Sequence, residues 1–332
     1  MVSFKARLMR AFMRNRHLMK GRLTPETIDK NTSIESLRKD TDEMAQKMFK
    51  PMEGVSFKAA ENAPVNAEWA EPQGCNAQDL VLYFHGGGFV MGNALSHRGI
   101  VGNFVKHLGV KALTFDYRLA PENPAPAAAY DGAEVYQYVL GLGYRPEHIV
   151  FAGDSAGGGI ALSTLLKLKD DGAPLPAACI AFSPCTDATL SGPSLKTRLG
   201  KDPCTPKGAN ETYLAYYVGN GDAKHPYASP LLGDLKGLPP IMIQVGDAET
   251  LLDDSVRFAK RAGEAGVEIR LHIWDGLFHC FPLLSPMFRE ATQAMEEVRT
   301  FVREKLAQAS SCGFAVIAET ITNGRPLIKK AE

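Results

Sequence analysis

A chain of 332 residues, 45% hydrophobic and 22% charged, has the make-up of a globular protein with a sizeable core, as one large α/β domain or two modest ones. Its 37 basic residues balance 37 acidic ones, which removes the electrostatic case for nucleic acid as a partner. Six cysteines (Cys75, Cys179, Cys185, Cys204, Cys280, Cys312) form no C-x-x-C pair and no dense framework, so reduced thiols are expected and neither a metal site nor a cofactor is indicated.

No apolar run reaches the ~20 residues of a membrane span. The basic N-terminus also lacks the uninterrupted apolar stretch of a secretory leader. Cytoplasmic residence is therefore expected. Residues 1–22 carry seven Lys/Arg and no acid, with Phe4, Leu8 and Phe12 spaced by four alongside Met9 and Met13. This predicts a basic amphipathic helix. Two placements are open to it: on an anionic membrane surface, or packed on the protein body with its basic face solvated. A second helix is predicted over Ser33–Phe49, then short strands at Val55–Ala59 and Val65–Trp69.

Leu80–Phe84 is a continuous apolar run, as expected of a strand buried on both faces. It leads directly into His85-Gly-Gly-Gly-Phe89, where glycines let the backbone turn its N–H groups toward a ligand. A strand at Lys111–Asp116 and a proline-rich loop through Pro126 follow, with Arg118 and Glu122 a possible pair inside the loop. Next come a helix at Ala127–Leu140 and a strand at His148–Ala152. That strand opens into Gly153-Asp-Ser-Ala-Gly157, the G-x-S-x-G spacing of a nucleophile elbow. Such a turn holds Ser155 in strained backbone with its hydroxyl exposed, at the N-terminus of a helix that favours developing negative charge. Further strands at Ala178–Ser183, Ile241–Val245 and 267–274 alternate with helices, which implies βαβ units and a mostly parallel sheet.

Three ordered motifs, His-Gly-Gly-Gly-Phe at 85–89, Asp-Tyr-Arg-Leu-Ala-Pro-Glu at 116–122 and Gly-Asp-Ser-Ala-Gly-Gly at 153–158, resemble the hormone-sensitive-lipase-like branch of the α/β-hydrolase fold, in particular its bacterial carboxylesterases. The resemblance covers most of residues 50–308. It implies an eight-stranded, mostly parallel sheet flanked by helices and covered by a helical cap. By that likeness residues 1–50 are N-terminal cap helices, 51–308 the catalytic core with a cap insertion near 186–226, and 309–332 a tail of unassigned structure. The insertion holds Tyr213, Tyr216 and Tyr217, a cluster that suits either a lid over an apolar pocket or packing inside the cap. Carried over from the family, an oxyanion hole falls on the N–H groups of Gly87, Gly88 and Ala156. Gly159 departs from the family, where asparagine is frequent, and is expected to loosen the helix after the elbow.

A serine hydroxyl needs a general base, and the base needs an orienting carboxylate, in the chain order Ser, acid, His. His279 follows the last strand, and Gly276 to His279 match the family's Gly-x-x-His pattern. The loop after Ile241–Val245 offers two acids, Asp247 and Glu249. Matching Leu251 and Asp253 to the family's Asp-Pro-Leu-x-Asp pattern puts Glu249 at the acid position, with Asp247 as the alternative. Asp253 and Asp254 read as caps for the helix that begins there. His272 and His85 read as structural, and Gly313–Ile317 as a possible added strand.

The expectation is a serine carboxylesterase acting on small ester substrates of short to medium acyl chain through an acyl-enzyme, without metal or cofactor. An amidase or peptidase would use the same triad; a non-catalytic small-molecule receptor on this fold would lack a triad member. Stretch 267–274 at a sheet edge is a candidate surface for a homodimer.

Overall fold

The computed structural model describes residues 2–19, 26–48 and 52–322. Three helices come first: α1 (Phe4–Arg14), α2 (Arg16–Met19) and α3 (Ile34–Met48). The strands are β1 (Val55–Ala59), β2 (Ala67–Pro72), β3 (Asn76–Phe84), β4 (Val110–Phe115), β5 (Ile149–Asp154), β6 (Ala178–Phe182), β7 (Ile241–Gly246) and β8 (Ile269–Trp274). Between and after them lie α4 (Ala94–Leu108), α5 (Ala127–Gly141), α6 (Ala156–Asp170), α7 (Ser194–Thr197), α8 (Ala209–Val218), α9 (Leu252–Glu264) and α10 (Arg289–Thr322).

The strands form one sheet in the order β1-β2-β4-β3-β5-β6-β7-β8. Pairing is antiparallel from β1 through β2 to β4 and parallel from there to β8. Strand alternation sorts the core into two layers. Leu80, Leu82 and Phe84 of β3 and Ile149 and Phe151 of β5 pack with Val135 and Val139 of α5, Ile160 and Leu165 of α6, and Phe258 of α9. Val81 and Tyr83, with Val150 and Ala152, face the other way onto Val101, Phe104 and Val105 of α4 and Val298 and Phe301 of α10. Because both faces are covered, the central strands read as continuous apolar runs.

Several expectations change in detail. The proline-rich loop is not held by an Arg118–Glu122 pair: Arg118 pairs with Asp131 at 2.6 Å, and Glu122 pairs with Arg38 of α3 at 2.7 Å. Asp253 and Asp254 do not cap α9. They lie in its first turn, and their carboxylates accept N–H groups of Ser194 and of Thr186 and Asp187, which ties the chain after β6 to α9. Gly313–Ile317 adds no strand, since its backbone continues α10; residues 323–332 of the expected tail lie outside the described residues.

The N-terminal helix is turned relative to the solvated-basic-face expectation. Arg10, Arg14 and Arg16 donate to carbonyl oxygens of Lys201, Gly200 and Cys204, at 3.0–3.1 Å. Ala6 and Met9 pack onto the body, while Phe4, Leu8 and Phe12 are exposed. β8 is the sheet's outer strand, with Ile273 half-exposed. No helix among the described residues is long and apolar enough to cross a membrane.

Candidate active site

Parallel strands bring their C-terminal ends to one side of the sheet, and the loops leaving β3, β5, β7 and β8 meet there. Ser155 stands between β5 and α6 with φ 54° and ψ −120°, backbone that a non-glycine residue adopts only under constraint. The constraint is steric as well as hydrogen-bonded. A side chain at Gly153 would come within 2.6 Å of the Gly157 backbone, and one at Gly157 would collide with the carbonyl oxygens of Phe84 and His85. The Ser155 N–H donates to the Phe182 carbonyl at 2.8 Å, and the Ser155 carbonyl accepts from Cys185 N–H at 3.1 Å. Ala156 opens α6, so its N–H has no acceptor within the helix.

Gly159 does not loosen α6, which runs unbroken from Ala156 to Asp170. A side chain there would collide with the Cys185 carbonyl oxygen, so glycine lets the chain after β6 close over the helix.

The glycine loop after β3 takes left-handed backbone at Gly87 (φ 128°), Gly88 (φ 60°) and Phe89 (φ 68°). It folds back on itself through Val90 and Met91 N–H groups donating to the Gly87 carbonyl, at 3.2 and 3.0 Å. From below it rests on Asp154, whose Oδ1 accepts from Gly86 N–H at 3.1 Å and from the Tyr83 hydroxyl at 2.9 Å. His85 is stacked on Tyr117 at 4.1 Å between ring centroids, and the Tyr117 hydroxyl donates to the His85 carbonyl at 2.7 Å. Burial, with His97 adding to it, pushes the His85 pKa down to about 3, so this ring is a neutral support for the loop. From above, Arg38 of α3 donates to the Val90 carbonyl at 2.7 Å and the Ala120 carbonyl at 3.0 Å.

The two candidate acids separate cleanly. Glu249 is fully buried; its Oε1 lies 3.3 Å from His279 Nδ1, and its Oε2 accepts from Ser183 Oγ at 2.8 Å and Gly246 N–H at 3.1 Å. Asp247 accepts from Gly276 N–H at 2.6 Å, bracing the turn before His279. His272 pairs with Glu297 on α10, away from this cluster. Burial opposes the charged form of His279, while Cys280 and the Glu249 carboxylate support it, and the net direction is well above the ordinary histidine value. The Cys280 thiol is itself pushed up by burial.

Ser155, His279, Gly87, Gly88 and Ala156 line one cavity of about 900 Å3. No hydrogen bond joins Ser155 to His279 among the described residues. Phe12 and Met13 of α1 and Leu37, Thr41 and Met44 of α3 form its outer wall, with Tyr213 and Leu214 of α8. The three tyrosines at 213, 216 and 217 have different partners. Tyr213 lies over Gly88, Tyr217 stacks on Phe89 at 3.7 Å, and Tyr216 reaches the Lys30 carbonyl at 3.4 Å.

Sequence reading missed Arg38, Tyr83 and Ser183. Ser183 follows β6 with φ 48°; its hydroxyl donates to Glu249 while accepting from Cys280 N–H at 3.0 Å. No local motif signals such a residue, because its partners lie 66 and 97 positions away. Among the described residues no group of three or more His, Cys, Asp or Glu side chains is arranged to hold a metal ion.

A family profile described as the α/β-hydrolase fold matches residues 81–283. An acetyl-hydrolase of Streptomyces hygroscopicus is 37% identical over 237 residues, spanning 71% of this chain and 79% of its own. An esterase of Acinetobacter venetianus is 33% identical over 275 residues, spanning 82% of this chain and 89% of its own. The crystal structure of an esterase from the bacterial hormone-sensitive lipase family superposes with a TM-score of 0.84 at 34% identity, covering 92% of this chain and 99% of that one. The chain belongs to the α/β-hydrolase family, in its hormone-sensitive-lipase-like branch, and is a carboxylic ester hydrolase.

Proposed function

We propose that the protein hydrolyses short- to medium-chain acyl esters through a covalent acyl-enzyme, with Ser155 as nucleophile, His279 as general base and Glu249 as the orienting acid. The observation that carries this reading is the buried Glu249 carboxylate 3.3 Å from His279 Nδ1, with His279 facing the cavity that Ser155 lines. In the first step His279 Nε2 takes the Ser155 hydroxyl proton as Oγ attacks the ester carbonyl carbon. The N–H groups of Gly87, Gly88 and Ala156 receive the oxyanion. Collapse of the tetrahedral intermediate breaks the bond to the alkoxide, which leaves as the alcohol with the proton from His279. Water, deprotonated by the same imidazole, then attacks the acyl-serine and regenerates the enzyme.

Residues 1–50 and 186–226 act in this reading as a cap over the cavity. A chain 39% identical to this one has a crystal structure described as soaked with p-nitrophenyl butyrate, superposing with a TM-score of 0.83 over 92% of this chain and 100% of that one. That soak supports a short acyl chain here. The test is hydrolysis of a p-nitrophenyl acyl series by the wild type and Ser155→Ala, with folding checked by circular dichroism. Loss of triad function should lower kcat by ~10⁴-fold or more. An inactive wild type, or a Ser155→Ala variant of undiminished rate, would contradict the reading.

A further inference from the structure

We propose that the outward face of α1 docks the protein on an anionic lipid surface, with the mouth of the cavity turned toward that surface. The face is apolar and, among the described residues, unpartnered: Phe4 is 71% exposed, Leu8 59% and Phe12 45%, a row at i, i+4 and i+8 along one helix. Met287, also exposed, extends the row beside Phe4. Exposed apolar residues scattered singly are ordinary, but a contiguous row on one helix marks a contact surface.

The helix is fixed in that orientation. Ser3 caps it and ties it to α10, with its N–H and hydroxyl each donating to Glu290 at 2.7 Å. Arg10 and Arg14 hold its far side to backbone carbonyls of the body, and Arg16 at the start of α2 does the same. Those contacts leave the Lys5 and Arg7 side chains exposed on the two flanks of the apolar row, with no side-chain hydrogen bond or ion pair to other described residues.

Apolar side chains bordered by cations are the composition of a helix that lies in the headgroup region. Charge selects this occupant over a second copy of the chain. Lys5 and Arg7 border the row, so two such faces apposed would set like charges together, whereas an anionic surface complements them. Continuity with the cavity gives the docking its orientation. Phe12 and Met44 are both exposed and also line the cavity, so the apolar row ends at its mouth. Docking itself is independent of the esterase reading; delivery of an acyl ester from that surface into the cavity rests on it.

The test is co-sedimentation of the full chain with vesicles of phosphatidylcholine alone and of phosphatidylcholine mixed equally with phosphatidylglycerol, at low and high salt. Hydrolysis of soluble p-nitrophenyl butyrate is measured on the same samples, so that loss of docking and loss of catalysis are read separately. The expected result is binding to the mixed vesicles that salt reverses. Lys5→Glu/Arg7→Glu should weaken it by roughly five-fold per charge or more. Phe4→Ser/Leu8→Ser should weaken it by about ten-fold or more, with soluble-ester hydrolysis unchanged. Equal sedimentation with neutral and anionic vesicles would overturn the proposal, as would unchanged binding by both double variants. A lipid-free dimer that Phe4→Ser/Leu8→Ser converts to monomer would also overturn it, assigning the face to a second copy.

Discussion

Ser155 keeps its φ of 54° because the residues around it leave no room for relaxation. Gly153 and Gly157 approach to near contact, the end of β6 holds the serine N–H, and Cys185 beyond it holds the carbonyl. Gly88 is under a similar limit, since its φ of 60° is left-handed and an added side chain would come 2.5 Å from the Tyr213 ring. Gly88→Ala should therefore displace an oxyanion donor, lowering kcat by about 10²–10³ with a smaller change in KM. Steady-state kinetics on p-nitrophenyl butyrate would check this, and a kcat within two-fold of wild type, on the order of experimental scatter, would remove Gly88 from the oxyanion site. His279 gives a pH prediction. Imidazolium cannot accept the serine proton, so kcat/KM falls as pH drops through the His279 pKa. A pKa raised above the ordinary value of about 6.5 puts this acid limb above that pH. Glu249→Gln and Cys280→Ala should each move the limb downward, since both side chains support the charged imidazole. A limb that ignores Glu249 would contradict its place beside the ring.

At the scale of elements, the elbow shows how one helix serves both packing and chemistry. α6 begins at Ala156 and runs to Asp170, with Ile160, Leu162 and Leu165 fully buried and Gly157, Gly158 and Gly159 in its first turn. Each glycine of that turn touches a different piece of backbone or side chain: the end of β3 at Gly157, Pro184 at Gly158 and Cys185 at Gly159. Gly159→Ala has to push back the Cys185 carbonyl and the segment behind it, which should cost about 1–3 kcal/mol of stability. Denaturant unfolding would measure it, and an unchanged midpoint would mean that this segment gives way freely. The N-terminal helix was the element least legible in sequence. Its 3.6-residue period was visible, but the period alone does not say which face packs. Three arginines find backbone carbonyls on the chain around 200–204, some 190 residues away, and that long-range match outweighs burial of Phe4, Leu8 and Phe12.

Over the whole molecule, what could be read in advance follows from how local each feature is. Leu80–Phe84 and Val150–Ala152 are apolar throughout because both sheet faces are covered, so the strands and the parallel architecture were visible as runs. Ser155 and the glycine loop are contiguous motifs and needed no tertiary knowledge. Arg118 was paired in sequence with its near neighbour Glu122, yet the fold gives it Asp131 and gives Glu122 to Arg38. Asp253 and Asp254 had the position of caps but serve the chain after β6. Motif matching put Glu249 at the acid position with Asp247 as the alternative, and the partners of each come from the fold. Two positions apart on one loop, they point to different partners: Asp247 to the Gly276 N–H and Glu249 to the imidazole. The most direct measurement is therefore kcat for p-nitrophenyl butyrate in Glu249→Ala and Asp247→Ala, both shown to be folded. Loss of the orienting acid should lower kcat by ~10⁴-fold in Glu249→Ala, against no more than about ten-fold in Asp247→Ala. The opposite order would move the acid to Asp247 and contradict the triad described here.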